Sequence, residues 1–204
     1  AIDLNKKKEL WSFQEVAHDI WNLDIPSPPI LTTIKKDSRL IDVVVAPTKI
    51  GNTLILDRLS GKPIYEYRLR KAPVSKIPGE KTSEYQPDLR LPEPFMDISF
   101  NKDEIWFRNI DKKKQFLKKI NDFKFGFFEA YELGKKNLRI GGGASWPGAS
   151  IDPNKNIMYV TSSRGIEEDE VKINIIKNKN LGPTFFSTFK VLLDDGIYPI
   201  IKPP

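Results

Sequence analysis

Stretches of alternating apolar and polar residues punctuate this chain, and the alternation predicts strands. Ala1–Gln14 (AIDLNKKKELWSFQ) opens on one, passes through a charged turn and regains strand character at Leu10–Phe13. Ile41–Pro47 (IDVVVAP) is a β-branched run suited to a buried strand. Thr48–Asn52 then reads as a turn, and Thr53–Leu56 starts the next strand. Ile157–Thr161 and Phe185–Leu193 read as strands as well. One spacing recurs: Ala1-x-Asp3, Lys7, Trp11 returns as Ile55-x-Asp57, Gly61, Tyr65. In each copy an Asp closes a strand, a turn follows and an aromatic residue opens the next strand. Two ordinary hairpins would share such a turn, but the recurrence also suits a repeated sheet unit of the propeller kind.

Helical periodicity is confined to Asp97–Phe125, where Asp111 is the expected N-cap and Phe116, Leu117, Ile120 and Phe123 form an apolar stripe. Core packing explains that stripe more simply than a partner would, and the lysines opposite read as a solvated face. Lys71–Phe95 carries five prolines (Pro73, Pro78, Pro87, Pro92, Pro94) and is expected to be irregular, because proline offers no donor to a ladder. The chain thus reads as a single domain over 1–204, with 71–134 an irregular and helical excursion.

Composition narrows the function classes. A hydrophobic content of 39% with 11% aromatics supports a packed core rather than a disordered tail. The net charge of +6 comes from lysine more than arginine, concentrated at Lys6–Lys8 and Lys112–Lys119, so it reads as solvated surface rather than a nucleic-acid footprint. With no cysteine, thiolate metal sites and thiol catalysis are excluded. No apolar run is long enough for a membrane helix. The chain starts Ala-Ile-Asp without an initiator Met and in mid-element, which suggests a piece of something longer.

Candidate chemistry concentrates in His18–Pro29 (HDIWNLDIPSPP), where the single His, Asp19, Trp21, Asn22 and Asp24 fall within seven positions. Such a crowd is either a turn network or a ligand or metal site. Lys49 sits at a strand end beside a turn, a place where binding residues gather and where most lysines are merely solvated. Ile140–Pro153 (IGGGASWPGASIDP) has three successive glycines that allow close backbone approach, followed by Trp146 in an expected loop. No βαβ context makes it a dinucleotide fingerprint, and no Gly-Lys-Ser/Thr makes it a phosphate loop. The acidic run Glu167–Glu170 could attract a cation but reads more simply as a solvated turn.

Taken together, Trp11–Gln14, His18–Pro26, Ala46–Gly51, Leu56–Pro63 and Trp146–Pro153 resemble, in order and spacing, the linked motifs of the pyrroloquinoline quinone (PQQ) dehydrogenases. The branch most similar is the membrane-bound quinoprotein glucose dehydrogenases. That resemblance implies an all-β chain: part of an eight-bladed propeller, about three four-stranded blades, with one helical insertion. It implies PQQ and Ca²⁺ as cofactors, a sugar or alcohol as substrate, and a membrane quinone or cytochrome as electron acceptor. The remaining blades would lie outside this chain, and the setting would be periplasmic, with any inner-membrane attachment through segments not included here. Carried over by residue, Lys49 matches the basic residue that reaches the quinone oxygens and Trp146 the family's second loop Trp, while Ser145 stands before it where the family often has Asn or Glu near PQQ. Asn22 stands where the family's proposed general base is an Asp; an amide can offer its oxygen to a cation but takes no proton from an alcohol. Asn22 and Asp24 would then be metal ligands, with Asp24 or Asp19 a substitute base. The competing reading is a non-catalytic propeller serving as an interaction scaffold.

Overall fold

The computed structural model of the protein describes residues 1–99, 102–174, 184–191 and 200–201. In chain order its strands are β1 (Ile2–Asp3), β2 (Lys8–Glu9), β3 (Ile30–Lys36), β4 (Arg39–Pro47), β5 (Thr53–Asp57), β6 (Leu69–Lys71) and β7 (Tyr85–Pro87). Then come β8 (Ile105–Trp106), helix α1 (Ile110–Lys119), β9 (Lys136–Asp152), β10 (Ile157–Asn174), β11 (Thr184–Val191) and β12 (Ile200–Ile201). These form two compact units: residues 1–71, 85–97 and 142–163, and residues 72–84, 98–141 and 164–204.

The first unit is built around an antiparallel sheet in the order β3-β4-β5. The β-branched run of β4 lies centrally, Val45 opposite both Ile30 and Ile55. Asp37 and Ser38, both at positive φ (49° and 63°), make the two-residue turn between β3 and β4. One face of this sheet packs Ala46, Leu54 and Leu56 with Leu89 into a core that Trp11, Phe13 and Tyr67 partly cover. The Phe13 and Tyr67 rings meet edge to face at 5.0 Å, a favoured aromatic geometry. The Trp11 indole N–H donates to the Arg58 carbonyl at 3.2 Å, and its ring lies flat on Gly61. A Cβ at Gly61 would stand 2.5 Å from that ring, and φ there is +69°, so both packing and backbone require glycine.

The recurring Asp turn is present, with a third copy. Asp3 accepts from the backbone N–H groups of Asn5 and Lys6, Asp57 from Leu59 and Ser60, and Asp152 from Asn154 and Lys155. Four residues after each Asp stands a residue at positive φ: Lys7, Gly61 and Asn156. The strand expected at Leu10–Phe13 is corrected: the assigned strand ends at Glu9, and beyond it only Leu10 and Trp11 still bond the main chain of Ala1. Trp146 is corrected too, since it lies within strand β9 rather than in a loop.

The second unit holds α1 and a sheet in the order β11-β10-β12-β8, with β9 also paired to β10. The helix is shorter than the periodicity suggested, because only Ile110–Lys119 closes α-helical bonds. Its N-cap is Asn109 rather than Asp111: the Asn109 side chain accepts from the Asp111 and Lys112 N–H groups at 2.9 and 3.1 Å. The stripe does face inward, with Ile120 fully buried and the Phe107 and Phe116 rings 5.2 Å apart. The acidic run is not a solvated turn but the middle of β10, where Glu168 and Asp169 are buried. Lys71–Phe95 is irregular as expected, apart from Tyr85–Pro87, which pairs as β7 with β6 at the start of the stretch. Phe185–Leu193 is strand β11 up to Val191, and Leu192 and Leu193 lie outside the described residues. Among the described residues no helix is long and apolar enough to cross a membrane.

Candidate functional site: a lysine turn clamped by glycines

The His18–Pro29 stretch folds with its apolar residues in and its polar residues out. Val16, Trp21 and Leu23 are buried, whereas His18, Asp19, Asn22 and Asp24 are exposed. Asp19 braces it: one carboxylate oxygen accepts from the Trp21 N–H at 2.8 Å and the other from the Leu23 N–H at 2.6 Å. His18 and Asn22 both adopt left-handed backbone (φ 48° and 61°), which Asn tolerates because its short polar side chain suits that region. The crowd is therefore a turn network and, at the same time, a set of outward-pointing polar groups.

Lys49 joins this loop from the Thr48–Asn52 turn. Its ammonium donates to the Asp24 carboxylate at 2.6 Å and to the Asn22 carbonyl at 3.2 Å. The Lys49 side chain is only 13% exposed, while that of Asp24 is 57% exposed. The turn is closed by Thr48 N–H to the Asn52 carbonyl and Gly51 N–H to the Thr48 carbonyl. Gly51 (φ +87°) lies against the Met96 carbonyl, where a side chain would collide.

The glycine stretch docks on the same turn. Gly143 (φ +73°) leaves no room for a Cβ against the Lys49 carbonyl, and the Ala144 N–H donates to the Thr48 carbonyl at 3.1 Å. Farther along, a Cβ on Gly148 would stand 3.3 Å from the Ser27 hydroxyl. Residues 143–148 thus touch both the lysine turn and the end of the polar loop, with half-buried Ser145 and exposed Trp146 between those contacts. Trp146 is 79% exposed, a large ring held in the open by strand backbone. The three stretches singled out in the sequence are one site.

One residue of the site was not foreseen. Glu15 is buried, and neither of its carboxylate oxygens has a hydrogen-bond partner; the hydroxyl of fully buried Thr48 has none either. Burial pushes the Glu15 carboxyl up to about 8, against the lowering effect of the nearby Thr48 hydroxyl and Asn52 amide. The Tyr67 hydroxyl, itself raised by burial and by Glu15, donates to the Glu15 backbone carbonyl at 2.9 Å. A signal was available: Glu15 falls in phase with Trp11 and Phe13, so the period-two alternation aims it inward.

The Lys49 ammonium and the open ring of Trp146, three residues beyond Gly143, each suit a flat, electron-poor, anionic group such as a quinone carboxylate. A calcium ion is less well served. It takes about six to eight oxygens, and this loop offers the Asn22 amide and an Asp24 carboxylate already bonded to Lys49. Among the described residues no cluster of three or more His, Cys, Asp or Glu could hold a metal ion.

This strand-rich architecture is that of part of a β-propeller. Residues 1–178 match the model of the PQQ glucose/ethanol/alcohol dehydrogenase β-propeller domain, and the chain belongs to that family. It is similar to the quinoprotein glucose dehydrogenase of Gluconobacter oxydans (strain 621H), 38% identical over 92 residues, covering 45% of this chain and 11% of that protein. The quinate/shikimate dehydrogenase (quinone) of Acinetobacter baylyi is 28% identical over 171 residues, or 80% of this chain and 21% of the relative. The glycerol dehydrogenase large subunit of Gluconobacter oxydans is 30% identical over 170 residues, 78% of this chain and 22% of the relative. The chain therefore spans about a fifth or less of these relatives' length. No solved structure matches it significantly.

Proposed function

We propose that this chain supplies the lysine-and-tryptophan part of the cofactor site in a PQQ- and calcium-dependent dehydrogenase. Its substrate would be a sugar or alcohol, its setting periplasmic, and its electron acceptor a membrane quinone or cytochrome. The observation that carries the reading is the seating of Gly143 on the Lys49 turn, which joins Ser145 and Trp146 to the polar loop. The relatives named above are dehydrogenases of glucose, quinate/shikimate and glycerol, all polyhydroxylated, which supports a hydroxyl-bearing substrate.

PQQ, when bound, supplies the two-electron acceptor for the alcohol carbon. Lys49 would hold its cation toward the quinone oxygens and favour negative charge there. For that its ammonium must share or leave its bond to Asp24. Trp146 would offer its exposed ring as a stacking surface, with Ser145 as a neighbouring hydroxyl. Asn22 would contribute its amide oxygen to a cation, and Asp24, the more exposed partner of Lys49, would take the substrate proton in place of the missing Asp. Calcium would need further oxygens from outside the described residues, and no step is assigned to it.

Asn22 lies at φ 61°, a conformation Asp also tolerates, so Asn22→Asp tests the base without disturbing the loop. In the complete enzyme, turnover should change little if Asp24 serves as base. A gain of about 10²–10⁴-fold would remove Asp24 from that role. The second reading, a non-catalytic scaffold, is favoured by the neutral Asn22 at the base position. Calorimetric titration of PQQ with Ca²⁺ into the complete protein separates the two, because a scaffold gives no binding heat.

A further inference from the structure

We propose that Glu15 is a positioning residue: its carboxyl group, sealed beneath the Thr48–Asn52 turn, fixes that turn and through it the Lys49 ammonium. The inference deepens the cofactor-site reading and rests on it for its functional meaning, though not for its test.

The backbone around Glu15 leaves its side chain one direction. The Tyr67 hydroxyl holds the Glu15 carbonyl, and the Gln14 side chain donates to the Val16 carbonyl at 2.8 Å. Gln86, fully buried, both accepts from the Ala17 N–H at 3.2 Å and donates to the Ala17 carbonyl at 2.7 Å. So anchored, the carboxyl lies against Thr48 and Asn52, which are 0% and 5% exposed. These are the first and last residues of the turn that carries Lys49.

A carboxylate in that position would be a buried charge without a counter-charge, a costly arrangement. The ionisable side chains on the elements packed against it are Tyr67 and Lys49. The Tyr67 hydroxyl is engaged by the Glu15 carbonyl, and the Lys49 ammonium by Asp24 and Asn22. With its proton, the same group is a neutral acid that can donate to the Thr48 hydroxyl or the Asn52 amide oxygen. Burial, which pushes the carboxyl up to about 8, agrees with the neutral form at physiological pH. Loss of the proton would then loosen the turn by admitting water or drawing Lys49 away from Asp24.

The test reads Lys49 directly and needs no cofactor. Acetylation rates of individual lysines are measured by peptide mass spectrometry from about pH 6 to about pH 9.5 on the full chain, as wild type, Glu15→Gln and Thr48→Val. Gln keeps the shape and neutrality of the protonated acid but cannot ionise. The wild-type to Glu15→Gln ratio of Lys49 rates should be near unity at about pH 6 and differ by about threefold or more above about pH 8, while exposed Lys62 keeps a ratio of one. Thr48→Val removes a neighbour that lowers the Glu15 pKa, so it should move the Lys49 transition to higher pH. Identical Lys49 profiles in wild type and Glu15→Gln would overturn the proposal, as would Lys49 and Lys62 changing together. Should Glu15→Gln fail to fold, an unmoved transition in Thr48→Val overturns it instead. Failure of PQQ to bind would leave these profiles untouched, so the two readings fail separately.

Discussion

The two units bury acids in opposite ways. In β10, Glu168 and Asp169 are 6% and 3% exposed, yet each meets cations. Arg139 reaches Glu167 at 2.7 Å and Asp169 at 2.6 Å, Tyr131 donates to Asp169 at 2.8 Å, and Lys119 and Lys136 both bond Glu168. Burial alone would raise the Glu168 carboxyl, but the ammonium groups of Lys136 and Lys119 outweigh it and hold the group below the usual carboxylate range. Glu15 is buried to the same degree with only neutral groups around its carboxyl, which is pushed up. The lesson is that burial does not decide the charge of an acid; the neighbours do. Glu168 is held as a structural charge, whereas Glu15 can change its state within a workable pH range.

The comparison breaks most severely if a β10 acid is made to resemble Glu15. Arg139→Met strands Glu167 and Asp169 without their guanidinium and should cost about 3–5 kcal/mol in urea unfolding, since removing one partner leaves an uncompensated buried charge. Next comes the pH dependence of Glu15 itself. Its folded pKa, about 8, lies above the ordinary 4.5, so its stabilisation is complete below about pH 4.5 and is lost as pH rises towards 8. Across that window unfolding free energy should fall by up to about 5 kcal/mol, and Glu15→Gln should abolish that part of the slope. The smallest effect belongs to the exposed pair. Asp24→Ala should change the unfolding free energy by less than about 1 kcal/mol, because a half-exposed ion pair contributes little, while freeing the Lys49 ammonium for faster acetylation.

Much of the fold was legible because its strands are simple. The β-branched run in β4 and the Asp turns announce themselves through residue type alone, and the stripe of α1 is a matter of period. The boundaries were not: Asn109 outcompeted Asp111 as the cap because its side chain reaches two N–H groups, a geometry that residue type does not specify. The acidic run misled for a related reason. Four successive carboxylates look solvated until Arg139, Lys136 and Lys119, about 30 to 50 residues away in sequence, arrive to neutralise them. At the site, the polar loop, Lys49 and Trp146 were each visible as motif residues. Their convergence was not, because it depends on Gly143 meeting Lys49 across nearly a hundred residues of chain. Nor was the Lys49–Asp24 bond legible, since spacing alone does not say which carboxylate an ammonium will choose.

The contacts that locate the Lys49 turn are almost all made by main chain. Gly51 meets the Met96 carbonyl, Gly143 meets the Lys49 carbonyl, and Ala144 bonds to Thr48 through peptide groups. Apart from the buried Glu15 beneath it, such a mounting depends little on the exposed side chains around it. A substitution at Asn22 or Ser145 therefore leaves these peptide contacts in place, so the chemistry around the lysine can be altered without moving it.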